Sequence, residues 1–351
     1  MFFRQLFDAN SSTYTYLLAC EKTKRAVLID TVFEQFGRDS ALLRELGLEL
    51  VATLETHVHA DHVTAAWLFH QAFQSDIVVA KVAGVEGATR PVSEGDEIRF
   101  GSQSLTVMST PGHTNGCLTY VTADQSMAFT GDALLIRGAG RTDFQQGDAS
   151  ALFHSITERI LTLPPTCQLY PGHDYSGRMV TTVAEERAYN PRFGGEANER
   201  DFVGYMSNLN LPHPKQIDVA VPANLRAGRP EVDRANERAS WAPVAMTYAG
   251  VPEVDAVWVH EHPSAVTVVD VREPDELTGP DGRIAGSIHV PLGELRQRVA
   301  EVPTDRPVVT VCRSGKRSAQ ATVILRAAGL KSCANLAGGM IRWNALGLPV
   351  G

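Results

Sequence analysis

Thr56-His57-Val58-His59-Ala60-Asp61-His62 sets three imidazoles and a carboxylate inside seven residues, directly after the apolar run Leu50-Val51-Ala52-Thr53-Leu54. Crowding such hydrophilic groups into the turn after a buried strand is unfavourable unless a cation compensates them. Neutral imidazole and carboxylate are good ligands for zinc or iron, so the stretch predicts a metal site at the end of a strand. The flanks extend that reading. Residues 12–30 alternate apolar and polar side chains and run into Ala26-Val27-Leu28-Ile29-Asp30, which predicts two strands. Helices are expected at 38–47, 63–73, 149–161 and 178–189. Further strands are expected at 49–54, 76–80, 97–100, 104–109, 117–122 and 126–130. Strands ending in polar loops, with helices packed outside them, make an α/β layered architecture.

Beyond residue 210 the pattern changes. Pro212, Pro214, Pro222, Pro230, Pro243 and Pro252 punctuate a charged stretch of weak periodicity, so 211–252 reads as a Pro-rich extended linker. A second α/β pattern occupies 253–351. Its strands are Val266–Asp270 and Val308–Val311, and its helices are expected near 294–301 and 317–329. The division is therefore 1–210, 211–252 and 253–351.

Composition narrows the partners. At 351 residues the chain exceeds the ~150 residues of one typical domain. A net charge of −8 with no Lys/Arg block argues against nucleic acid and against an anionic membrane surface. No run of about 18 apolar residues exists to cross a bilayer. The segment Met1–Asp8 lacks the basic and apolar regions of a secretory signal. Five widely spaced cysteines fit a reducing compartment with free thiols, so a cytoplasmic location is expected.

Three more metal-ligand candidates sit where apolar strands meet glycine-flanked loops: His113 in Thr110-Pro111-Gly112-His113-Thr114, Asp132 in Phe129-Thr130-Gly131-Asp132, and His173 in Tyr170-Pro171-Gly172-His173-Asp174. With the opening stretch, this set resembles the metallo-β-lactamase superfamily over residues 1 to about 210. The resemblance implies an αββα sandwich. In that superfamily His57, His59 and His113 can build one metal site and Asp61, His62 and His173 another, with Asp132 between them. The ligand types alone do not choose between hydrolases with two metals and oxygenases with one. The segments Gly138–Gly147, His173-Asp174-Tyr175 and Glu185–Arg192 resemble the persulfide dioxygenase branch. That resemblance implies one Fe(2+) per chain held by His57, His113 and Asp132, the two-histidine, one-carboxylate face used in non-haem oxygen chemistry. His59, Asp61, His62 and His173 then orient the ligands and organise water. Arg141, Tyr175 and Arg192 match the positions that hold glutathione in this branch, and guanidinium forks suit its carboxylates. Ala139 departs from the pattern, since relatives often carry cysteine there.

Val308-Val309-Thr310-Val311 delivers Cys312 into the basic loop Cys312-Arg313-Ser314-Gly315-Lys316-Arg317, which opens a helix. Backbone N–H groups, the helix N-terminus and three cations all favour a thiolate there, and the loop can cradle an oxyanion. The other four cysteines read as small buried hydrophobes. Asp270-Val271-Arg272, Gly282–Ser287 and Leu336–Trp343 resemble the rhodanese domain throughout 253–351. The loop length is that of the sulfurtransferases; related phosphatases use a longer one. The resemblance implies that Cys312 becomes a persulfide, that Arg313, Ser314, Gly315, Lys316 and Arg317 hold the sulfur anion, and that Asp270 and Arg272 form a buried ion pair.

The chain thus resembles a persulfide dioxygenase–rhodanese fusion. The implied substrates are the small molecules glutathione persulfide, thiosulfate, sulfite and O2, with glutathione as co-substrate and a homodimer allowed. The alternative is a glyoxalase-II-like thioesterase with a binuclear metal site and a rhodanese domain serving as sulfur carrier.

Overall fold

In the computed structural model, which describes residues 1–230 and 241–351, the first sheet takes the order β1 (Phe2–Asp8), β2 (Thr13–Ala19), β3 (Arg25–Ile29), β4 (Glu49–Leu54), β5 (Asp76–Ala80) and β6 (Arg90–Val92). β1 to β3 pair antiparallel, and β3 to β6 run parallel. A second sheet follows in sequence order: β7 (Glu97–Phe100), β8 (Gln103–Ser109), β9 (Leu118–Thr122), β10 (Met127–Gly131), β11 (Gln168–Pro171) and β12 (Thr181–Thr182). The period of two puts Tyr14, Tyr16, Leu18, Val27, Ile29, Ala52 and Leu54 on one face. They share a core with Ile98, Phe100, Leu105, Val107, Tyr120 and Phe129 of the second sheet.

α1 (Phe36–Glu45) connects β3 to β4 in the chain. α2 (Ala66–Phe73) follows the histidine stretch and packs Ala66 with Ile77 and Val79 of β5. α3 (Ala149–Thr157), α4 (Val183–Tyr189) and α5 (Glu199–Ser207) bury Leu152, Ile156, Val183, Phe202 and Met206 against Val121, Ala128 and Leu169 of the second sheet. α4 starts at Val183, later than the expected 178, because Thr182 and Glu185 form a capping box that fixes the start. The first unit is an αββα sandwich.

The linker expected at 211–252 is corrected over much of its length. Residues 217–224 form α6 (Ile217–Asn224), and Ala227 just beyond it packs with Ala66 of α2 on Ile77 and Val79 of β5. Proline spacing suggested an extended chain, but Pro222 is accommodated inside this short helix. At the other end, β13 (Ala245–Met246) and β14 (Pro252–Val254) already belong to the C-terminal sheet. Of the expected linker, 231–240 lies outside the described residues.

The second unit adds β15 (Thr267–Asp270), β16 (Ile288–His289), β17 (Val308–Val311) and β18 (Cys333–Leu336), arranged in space as β13-β14-β18-β17-β15-β16. Only the β13–β14 pair is antiparallel. α7 (Ala256–Glu261), α8 (Pro274–Leu277), α9 (Lys316–Ala327) and α10 (Gly339–Ala345) complete it. β17 is buried along its whole length, as expected of a central parallel strand, and Cys312 stands at its C-terminal end. The helix expected at 294–301 is absent. Successive three-residue turns and a 3-10 turn at Val299–Glu301 bring Leu292, Leu295 and Val299 to the same core, which is why the spacing mimicked a helix. Among the described residues no helix is long and apolar enough to cross a membrane.

Candidate metal centre and thiolate loop

β4 ends at Leu54, and the chain from 55 to 65 forms neither helix nor strand, so its side chains and carbonyls find partners one by one. Asp30, just after β3, is the first anchor. It adopts a φ of 53°, unusual for a residue other than glycine. One of its carboxylate oxygens accepts from the Thr56 N–H (2.7 Å) and His59 Nε2 (3.1 Å); the other accepts from the Thr56 hydroxyl (2.9 Å). Thr56 Oγ1 is therefore free to accept from His57 Nδ1 at 3.0 Å, which turns the Nε2 lone pair of His57 inward.

The same logic fixes the other two ligands. His113 Nδ1 donates to the Arg141 carbonyl at 2.6 Å, leaving Nε2 as acceptor. Asp132 Oδ1 accepts from His173 Nδ1 at 2.7 Å, leaving Oδ2, which lies 3.9 Å from His113 Nε2. One ligand atom from each of His57, His113 and Asp132 lies within 4.8 Å of the others. Two imidazoles and one carboxylate with converging free lone pairs fit a ferrous ion and also suit zinc. Burial, with His59 and His113 close by, pushes the His57 imidazole well below its ordinary range, so it is held neutral as a ligand must be. Burial would raise the Asp132 carboxyl, but the charge and hydrogen bond of His173, helped by His57 and His113, bring it below the ordinary carboxylate range.

His59, Asp61, His62 and His173 form the surrounding network. Asp61 Oδ2 lies 3.0 Å from His62 Nδ1, 2.9 Å from His173 Nε2 and 3.2 Å from Thr13 Oγ1. Burial alone would lower His173, yet Asp132 and Asp61 on its two nitrogens raise it well above its ordinary value. It is a cation clamped between carboxylates. His59 Nδ1 and His62 Nε2, both buried, have no hydrogen-bond partner among the described residues, and His59, Asp61 and His62 offer a second group of ligand atoms within 4.8 Å of one another.

The loop Gly138–Arg141 closes over the ligands. Gly140 N–H donates to the Asp132 carbonyl, and a Cβ at Gly140 would stand 2.2 Å from that oxygen and 2.8 Å from His113 Nδ1. Only glycine allows this approach.

In the second unit, Cys312 Sγ receives hydrogen bonds from the backbone N–H groups of Ser314, Gly315 and Ser318, and from Ser318 Oγ at 3.3 Å. Burial opposes ionisation, but these donors win and lower the thiol. Burial pushes Cys117 and Cys333 up to about 12 and Cys167 up to about 11. Cys20 is also lowered, by Ser102 and Thr23, but no helix begins beside it. The loop arginines are already held: Arg317 is bidentate to Glu276 (2.6 and 2.7 Å), and Arg313 Nε lies 3.0 Å from Asp281. Arg317 brings the Glu276 carboxyl down to about 2. Asp270 and Arg272 form the expected ion pair, fully buried, with Arg272 also donating to the carbonyls of Glu276 and Gly282.

The metallo-beta-lactamase superfamily model matches residues 10–173, and the rhodanese-like domain model matches residues 255–346. The mitochondrial persulfide dioxygenase ETHE1 of Mus musculus is 52% identical over 226 residues, which is 64% of this chain and 88% of its own length. The chain belongs to the persulfide dioxygenase family. A crystal structure of ETHE1 from Myxococcus xanthus is 50% identical, with a TM-score of 0.63, and covers 65% of this chain and all of its own. A metallo-beta-lactamase structure from Staphylococcus aureus has 22% identity and a TM-score of 0.61 over 97% of this chain and 98% of its own; that likeness is one of fold. This member of the family therefore joins a dioxygenase-type metal domain to a rhodanese domain.

The three residues matched to glutathione positions lie around the metal loop but are partly occupied. Arg141 is bidentate to Asp143 (2.6 and 2.7 Å), donates to the Pro212 carbonyl and stacks over Phe144. Arg192 donates to the Ala139 carbonyl and to Tyr205 Oη. Tyr175 is 74% exposed and stacks parallel to His173. Sequence reading missed Thr13, Asp30, Thr56, Glu276, Asp281 and Ser318. Asp30 had a signal, because it ends an apolar strand as Asp132 does. The others are ordinary polar residues whose roles come from their neighbours.

Proposed function

We propose that the metal domain oxidises glutathione persulfide with O2 and water to glutathione and sulfite at one iron(II) held by His57, His113 and Asp132. The observation carrying this reading is the set of three inward lone pairs, each freed because its partner atom is tied to Thr56, the Arg141 carbonyl or His173, in a chain 52% identical over 226 residues to a persulfide dioxygenase. When bound, iron(II) supplies a redox-active centre with positions left open beside three protein ligands. The rest is the work of the chain. Thr56 and the Arg141 carbonyl fix the imidazole tautomers, His173 keeps Asp132 ionised, and Arg141, Tyr175 and Arg192 bind the tripeptide.

The rhodanese domain, in this proposal, moves sulfane sulfur between thiosulfate and glutathione. The Cys312 thiolate attacks the outer sulfur of thiosulfate, the S–S bond breaks, and sulfite leaves with its electron pair. Glutathione thiolate then takes the outer sulfur, giving glutathione persulfide and restoring the Cys312 thiolate. Arg313, Lys316, Arg317 and the N–H groups of Ser314 and Gly315 hold the anion.

The unpartnered His59 Nδ1 and His62 Nε2 favour one second reading, a binuclear hydrolase of glutathione thioesters. Oxygen uptake with glutathione persulfide, on protein of measured metal content, separates the two. One iron per chain, rapid uptake and loss of uptake on chelation are expected. Two zincs per chain, no uptake and thioester hydrolysis would overturn the proposal. Cys312→Ser is expected to abolish sulfur transfer and leave oxygen uptake intact.

A further inference from the structure

Asn224, the last residue of α6, is 4% exposed and lies outside every segment that supplies a metal ligand. Its amide nitrogen donates to the carbonyls of His59 (2.9 Å) and His62 (2.8 Å), and its Oδ1 accepts from the Thr64 N–H (2.8 Å). Both amide hydrogens are thus spent on the histidine loop. We infer that Asn224 is a positioning residue for the metal centre, clamping the 59–64 backbone from the segment that reads in sequence as a linker. The inference rests on the metal site proposed above and not on its substrate.

The loop it holds has no ladder of its own, so the His59 and His62 carbonyls depend on this side chain for their partners. These two residues back the ligands from both sides. The His59 ring lies 4.1 Å from the His57 ring, centroid to centroid. His62 leads through Asp61 and His173 to Asp132, by contacts of 3.0, 2.9 and 2.7 Å. A shift of the 59–62 backbone therefore reaches one imidazole ligand and the carboxylate ligand together.

The clamp is itself fixed. The Trp67 N–H donates to the Ala227 carbonyl at 3.1 Å, and the Glu86 N–H to the Leu225 carbonyl at 2.7 Å. Gly228, at a φ of 74°, passes so close that a Cβ there would lie 2.0 Å from the Thr64 carbonyl oxygen. Ala227 and Leu225 thus tie the segment to α2 and to Glu86, Asn224 and Gly228 meet the ligand loop, and Asn224 is the one that touches the histidines.

The test uses the full chain loaded with cobalt(II) as probe ion. Asn224→Asp keeps the shape but turns an oxygen toward two carbonyls; Asn224→Ala leaves three backbone groups unpaired. Both are expected to shift the visible ligand-field bands and to lose cobalt to a chelator at least about tenfold faster than the parent, the scale of outer-shell effects on metal affinity. Val183→Ala, a buried truncation in α4, serves as control. It is expected to lower the melting temperature with bands and chelator rate unchanged. Parent-like bands and rate in Asn224→Ala, or equal changes in the control, would overturn the inference. If neither Asn224 variant folds, hydrogen exchange on the parent decides. Cobalt should slow exchange at 59–64 and 224–228 together, and slowing at 59–64 alone would overturn it. None of these readouts uses persulfide. Absence of oxygen uptake would remove the dioxygenase reading and leave this one standing.

Discussion

Replacing Ser318 by alanine removes one donor from the Cys312 thiolate and leaves the three N–H donors of Ser314, Gly315 and Ser318 in place. A hydrogen bond to a charged group contributes about 1.5–3 kcal/mol. At 1.36 kcal/mol per pKa unit, the thiol is expected to rise by about one to two units. The sign follows from the ionised form: the lost donor had favoured thiolate over thiol, so the midpoint moves up. At a pH well below the parent midpoint the reactive fraction then falls about tenfold or more. Two readings check this. The pH midpoint of the thiolate ultraviolet absorbance, taken against the Cys312→Ser background, should move to higher pH. The pH profile of sulfur transfer from thiosulfate should move with it, so that activity recovers in alkaline buffer. A midpoint that stays where it is in the parent would show that the N–H groups alone hold the thiolate, and the reasoning would fail.

Two further outcomes follow from the same kind of accounting. Arg272→Met strands the fully buried Asp270 carboxylate and should cost the rhodanese domain about 3–5 kcal/mol in urea unfolding; a loss of only about 1 kcal/mol, the size for an exposed pair, would refute it. Gly140→Ala drives a Cβ to within 2.2 Å of the Asp132 carbonyl, so metal affinity should fall about 10- to 100-fold, read as iron retained after dialysis against chelator; full retention would sink the argument.

Much of the site was legible in one dimension because its ligands come from strand ends, where glycine and a polar residue break an apolar run. His113 and Asp132 carry that signature, and His57 and Cys312 likewise follow apolar strands. Period-two alternation likewise exposed β2, and the apolar run Ala26–Ile29 exposed β3. The failures share a cause. Leu292, Leu295 and Val299 repeat at helical spacing, yet consecutive turns deliver the same side chains to the core. Pro212 to Pro230 suggested an extended linker, but proline counts report backbone limits and not whether the chain has a surface to pack on. Asn224 left no signal at all, since nothing local distinguishes an asparagine on a clamp from one in solvent.

The amino-acid sequence by itself determined which side chains could bind a metal and which cysteine could be a thiolate, because both depend on residue type and on the strand ends that deliver it. Tertiary structure decided which lone pairs face inward. That choice belongs to Thr56, the Arg141 carbonyl and His173, each of which occupies the outward atom of one ligand. It also decided that residues 217–228, read in sequence as linker, pack on the metal domain. The reason is physical: a tautomer or a clamped carbonyl is set by a partner a few ångströms away in space, and those partners lie up to 165 residues away in the chain.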